Sequence, residues 1–109
     1  MAKGPKQVVA NIKKTLLKRL LPVRVEFPQE GEALVSPGYT FRVLAPEAAV
    51  TVDVCINQGD WLPCREAVGL WWHDWNTEGD GEYEVVARVR QADGTVMVSE
   101  PRIFFVKRP

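Results

Sequence analysis

His73, Ser36, Ser99, Cys55 and Cys64 are the residues of this chain whose side chains could serve as base, nucleophile or soft metal ligand. Serine-type acyl transfer needs a nucleophile, a base and an orienting carboxylate in mutual contact. His73 is the single histidine, and neither serine lies in a nucleophile-elbow context. On a strand, Asp74 would point away from its neighbour His73. No catalytic centre is expected, and the chain reads as a non-enzyme. The cysteines form no Cys-x-x-Cys pair and no Cys/His cluster, so no zinc site is expected. Asp74, Glu78, Asp80, Glu82 and Glu84 crowd one stretch. Calcium takes about six to eight oxygens, and this run lacks the spacing of an EF-hand loop. A solvated turn is expected there, with no metal and no cofactor.

The other concentration of unusual residues is aromatic. Residues 69–75 read GLWWHDW and hold three of the four tryptophans, with Trp61 a short way upstream. Read as a strand, Trp71, His73 and Trp75 share one face, and Leu70, Trp72 and Asp74 share the other. Asp74 marks its own face as outward. Trp71 and Trp75 then belong to the core, and Trp72 to the surface. An exposed Trp offers a large rigid area and one N–H donor, the profile of a binding hot spot. Trp61 and Trp72 are therefore the candidate aromatic binding surface, for protein first and for sugar second.

Two kinds of element must position these residues. Residues 6–21, KQVVANIKKTLLKRLL, show a helical period. Val8, Ile12, Leu16 and Leu20 recur every four positions, widened by Val9, Leu17 and Leu21. Pro5 suits a first turn and Pro22 a stop. Beyond Pro22 the period falls to two. Val23, Val25 and Phe27 alternate with Arg24 and Glu26, Tyr39, Phe41 and Val43 with Thr40 and Arg42, Val50, Val52, Val54 and Ile56 with Thr51, Asp53 and Cys55, and Tyr83, Val85, Ala87 and Val89 with Glu84, Val86, Arg88 and Arg90. A polar loop is expected over residues 28–37, and turns at 57–60, 78–81 and 92–94. The 92–94 turn joins residues up to Arg90 to 95–99 as a hairpin, and a last strand follows over 102–107. Seven to eight short strands predict an immunoglobulin-like antiparallel β-sandwich over residues 23–109, preceded by an amphipathic helical arm over residues 1–22. Across the 57–60 turn, pairing Ile56 with Trp61 would set Cys55 opposite Leu62 and Asp53 opposite Cys64. That geometry is poor for a disulfide, and two free thiols are expected.

Charge divides at the same boundary. Residues 1–25 carry seven basic residues and no acidic one, and the other seven basic residues share residues 26–109 with all fourteen acidic ones. Such an arm is expected to meet something acidic: another protein, the body of the chain itself, an anionic membrane surface or nucleic acid. Its stripe has no aromatic membrane anchor, and the chain shows no nucleic-acid motif. Docking into an acid-rimmed protein groove is preferred, through Val8, Ile12, Leu16 and Leu20 flanked by Lys13, Lys14, Lys18 and Arg19. No apolar run has the length of a signal peptide or a membrane span, so a cytoplasmic location is expected.

The segment 52–96 resembles the C-terminal immunoglobulin-like domain of sulfite oxidase-type molybdenum enzymes. The resemblance lies in Val52-Asp53-Val54, Gly59-Asp60-Trp61, Trp72-His73-Asp74-Trp75, Gly81-Glu82-Tyr83, Ala87-Arg88 and Asp93-Gly94. In that family the domain mediates dimerisation, and the molybdenum lies in a separate domain. The resemblance implies a sandwich fold and self-association, and no oxidoreductase activity. Related early-set sandwiches also occur as glucan-binding modules. The expected function is a non-enzymatic interaction module or accessory subunit, binding another protein or a second copy through the basic helix. The alternative is a carbohydrate-binding module using Trp61 and Trp72.

Overall fold

Alternating apolar and polar residues put one side chain in two on the same face, and the computed structural model, which describes residues 23–109, buries that face. Ten strands form among the described residues, with no helix between them. They are β1 (Arg24–Phe27), β2 (Ala33–Leu34), β3 (Gly38–Leu44), β4 (Ala49–Ile56), β5 (Trp61–Pro63), β6 (Arg65–Ala67), β7 (Leu70–Asn76), β8 (Gly81–Gln91), β9 (Val96–Val98) and β10 (Arg102–Val106). The arm over residues 1–22, with Val8, Ile12, Leu16, Leu20, Lys13, Lys14, Lys18 and Arg19, lies outside the described residues.

The strands make two sheets. One has the order β1-β3-β7-β6, and the other β2-β10-β8-β4-β5, with β9 also on β8. Their inner faces pack together. Phe41 and Val43 of the first sheet meet Val52, Val54, Val85, Ala87, Val89 and Phe104 of the second, all fully buried. Burying each such Val or Phe stabilises the fold by roughly 1.5–3 kcal/mol before entropy is charged against it. Strand β8 is the spine of the larger sheet. It pairs with β4 along one edge, and with β10 and then β9 along the other. Between β9 and β10 the Ser99 hydroxyl accepts the Ala87 N–H at 2.9 Å, so this serine bridges a break in pairing.

Two expectations change. The strands number ten, because three very short ones pair through a few residues each and leave no periodic signal. The pairing is antiparallel except that β2 runs parallel to β10 (Phe105↔Ala33, Val106↔Leu34), which places a strand inside the expected polar loop. Strand β5 leaves the larger sheet at Cys64, and the chain re-enters the smaller sheet as β6. A two-residue turn, Val68-Gly69, then folds β6 onto β7. Both residues have positive φ, 48° and 76°, the form of a type I′ hairpin turn. A β-branched residue is strained there, and Val68 is 88% exposed, so it gains no packing in return. Val68→Asn is expected to raise stability by about 1 kcal/mol in chemical denaturation. An unchanged or lower midpoint would show that the turn is not strained.

Candidate interaction surface

The strand alternation of GLWWHDW holds in β7. Trp75 faces inward, stacked on Phe41 (centroids 5.5 Å apart) and edge-on to Phe104 (5.8 Å) and Tyr83 (5.4 Å). Trp71 packs half-buried against the core at the opposite end of the strand. His73 lies between them. It stacks on Phe41 at 6.3 Å, and its Nδ1–H donates to the Pro63 carbonyl at 2.9 Å. A carbonyl only accepts, so this bond fixes the proton on Nδ1. His73 is thus a packing residue.

Trp72 and Asp74 face outward on the smaller sheet. Register then assembles what no single strand contains. Phe27 of β1 pairs with Arg42 of β3, Arg42 with Trp72 of β7, and Trp72 with Arg65 of β6. Phe27, Arg42, Trp72 and Arg65 form one row across four strands, roughly 14 Å long at the usual strand spacing. The Arg42 guanidinium lies between two aromatic rings, 4.5 Å from the Phe27 centroid and 6.0 Å from that of Trp72. Its Nε donates to Glu26 at 3.1 Å. The Trp72 indole N–H donates to the Ala67 carbonyl at 3.0 Å. Arg65 binds Asp74 through both terminal nitrogens, at 2.8 and 3.4 Å, and the Thr40 hydroxyl donates to the same carboxylate at 2.7 Å.

Each charged group on this face is therefore held by a neighbour. Arg24, Arg42 and Arg65 stand against Glu26 and Asp74, so the face is slightly cationic on an otherwise acidic body. Beside the row opens a groove of roughly 380 Å³, lined by Arg24, Phe27, Gln29, Arg42 and Arg102 among others. The Thr40 and Arg65 hydrogen bonds pull the Asp74 carboxyl below its ordinary range. Its folded value is depressed, so its contribution to stability is present above the unfolded value and is lost as pH falls through the folded one. An NMR titration is expected to place the Asp74 midpoint below that of an ordinary aspartate and to show it rising in Arg65→Ala. A midpoint unmoved by that substitution would remove Arg65 as a partner.

Trp61 lies elsewhere. Register sets Cys55 opposite Trp61 and Val54 opposite Leu62, one residue away from the expected pairing. The shift arises in the turn, where Asn57 and Gln58 both take positive φ and Gly59 N–H closes on the Ile56 carbonyl. Trp61 is thereby turned onto the outer face of the larger sheet, 37% exposed, with the Arg88 guanidinium 4.2 Å over its ring and Asp53 holding Arg88 at 3.1 Å. Trp61 and Trp72 lie on opposite outer faces and cannot make one platform. Both thiols are free. Cys55 points outward, and Cys64 packs against the core, where burial, with Asp53 adding to it, pushes its thiol up to about 12. A thiol so raised is not a nucleophile at neutral pH. The carboxylates of 74–84 do not converge: Asp74 faces Arg65, while Asp80 accepts the Arg108 N–H, and among the described residues no acidic, Cys or His cluster is placed to hold a metal.

Sequence reasoning found Trp72 and missed its row. Alternation with Phe41 and Val43 already turned Arg42 outward, but Arg65 lies on a strand with no periodic signal, and the row joining the two exists only through register. Phe27 reads as inward by its alternation with Val23 and Val25, but a register shift between Val25 and Phe27 turns it out onto Arg42.

No protein-family model matches the chain, and no curated protein sequence does either. Solved structures do. Fibronectin(III)-like modules of Clostridium thermocellum CbhA match at a TM-score of 0.66 and 16% identity, over 78% of this chain and 94% of that one. An engineered protein matches at 0.65 and 24% identity, over 78% of this chain and 20% of its own. A modular endo-β-1,4-mannanase from Cellulomonas fimi matches at 0.60 and 22% identity, over 78% of this chain and 18% of the enzyme. The chain thus spans about a fifth of the last two and nearly all of the first. These likenesses establish the fold, a mainly β sandwich of fibronectin(III)-like, immunoglobulin-like type. The structures named here include no sulfite oxidase-type domain, and that finer resemblance rests on the quoted residues alone.

Proposed function

We propose that this chain is a non-catalytic interaction module that binds another protein through the outer face of its smaller sheet. The observation that carries this reading is the Phe27–Arg42–Trp72–Arg65 row. Trp and Arg dominate binding hot spots because they bring large contact area and directional donors. Here both are held in place before any partner arrives, by Ala67, Glu26 and Asp74, so little side-chain entropy is left to lose on binding. The likeness to fibronectin(III)-like modules supports a scaffold role for the sandwich. A second copy of the chain is one such protein partner.

Carbohydrate binding is the second reading, favoured by one observation. Trp72 presents an indole next to Arg and Asp groups, as sugar sites do, and one of the matched enzymes is a mannanase. A single panel separates the two. Wild type, Trp72→Ala and Trp61→Ala are assayed against soluble β-glucans and mannans, and used as bait against proteins of the source cell, with bound proteins quantified. The protein reading expects no saturable sugar binding and a set of captured proteins lost in Trp72→Ala but kept in Trp61→Ala. Saturable glycan binding abolished by Trp72→Ala would replace it with the carbohydrate reading.

A further inference from the structure

We propose that the groove at the Trp71 end of the sandwich is the seat of this chain's own N-terminal arm. The groove is an open space of roughly 540 Å³. Ala45, Ala49 and Trp71 form its apolar floor and pack against the core. Val50, on its wall, is 54% exposed. Glu47 and Glu66 stand exposed on its rim, and neither makes an ion pair among the described residues. Its chemistry is an apolar trough edged with negative charge.

The arm has the complementary chemistry. Its stripe ends in Leu16, Leu17, Leu20 and Leu21, its flanks carry Lys13, Lys14, Lys18 and Arg19, and it holds no acidic residue. Topology delivers it to this place. Val23 is buried in the core, Arg24 pairs with Leu44, Val25 with Val43, and Val43 with Trp71. The described chain therefore begins at the groove's own end of the sheet, where Val25 lies two strand spacings, roughly 10 Å, from Trp71. No linker has to be spanned, so the arm faces its groove at an effective concentration in the millimolar range, far above that of a second copy in dilute solution. Isolated helices of this length are marginal in water, and an apolar seat is what would hold one. The acidic surface that the arm's charge calls for lies on this same chain.

Hydrogen exchange of the full-length protein tests this. Amides of residues 12–21 are expected to be protected, equally at low and high protein concentration. In Glu47→Lys/Glu66→Lys, and separately in Val50→Glu, the same amides are expected to exchange about tenfold faster while β8 amides keep their protection. All three positions are exposed, so the fold survives the changes. Arm amides exchanging at unstructured rates in the wild type, or protection indifferent to both variants, would overturn the proposal. Protection that grows with protein concentration would also overturn it, by assigning the arm to a second copy.

Discussion

Phe41→Ala is expected to cost about 3–5 kcal/mol, a third or more of the stability of a domain this size. Phe41 has no exposed surface and stands where both sheets meet. Four rings touch it: Trp75 at 5.5 Å, Phe104 and Tyr39 at 5.7 Å, and His73 at 6.3 Å. Removing its ring opens a cavity walled by other strands' side chains, which the two hydrogen-bonded sheets cannot collapse to fill. The urea midpoint is expected to fall by about 2 M, with the slope of the transition unchanged. Phe105→Ala is the control. Phe105 is 38% exposed on the outer face of the larger sheet, and its loss is expected to cost about 1 kcal/mol or less. Equal costs at the two positions would mean that Phe41 does not join the sheets.

Trp72→Ala is expected to weaken partner binding about 30-fold while costing about 1 kcal/mol of stability. Its indole covers the middle of the row, and its N–H bond to Ala67 is solvent-accessible, so truncation leaves no buried orphan. Arg42→Ala is expected to weaken binding about tenfold, since it loses the cation–π contacts to Phe27 and Trp72 and frees Glu26. Arg42→Lys is expected to recover only part of that loss, because an ammonium keeps the charge but not the planar stacking. Trp61→Ala, on the far face, is expected to stay within about twofold of wild type. Isothermal titration with the captured partner reads all four. Equal losses for Trp61→Ala and Trp72→Ala would remove the row from the interface.

What the sequence disclosed and what it hid have physical causes. Strand β8 was legible because Val85, Ala87 and Val89 recur with a period of two between Glu84, Val86, Arg88 and Arg90, and all three are fully buried. Trp71 and Trp75 were legible as inward because Asp74 marks the other face, where it meets Arg65 and Thr40. Register was not legible. The β4–β5 pairing depends on Asn57 and Gln58 taking positive φ, and that turn sets Trp61 beside Cys55, one residue from the expected pairing with Ile56. The β6–β7 hairpin was missed because Val68 is a residue that type I′ turns rarely accept. The candidate surface was only half legible for the same reason. Its outward residues could be named strand by strand, but a row across four strands exists only through pairing and through one irregularity at Phe27.

Four tryptophans give four indole N–H signals in an NMR spectrum, and their positions make them reporters of separate surfaces. Trp72 watches the outer face of the smaller sheet, Trp61 that of the larger sheet, Trp71 the end groove, and Trp75 the core. Titrating the labelled full-length chain with its captured partner therefore tests directly which face makes contact. The Trp72 indole and the Arg42 Nε–H signals are expected to shift together, while Trp61 and Trp75 stay in place. A shift of Trp61 with Trp72 unmoved would contradict the account, because it would put the partner on the opposite side of the sandwich.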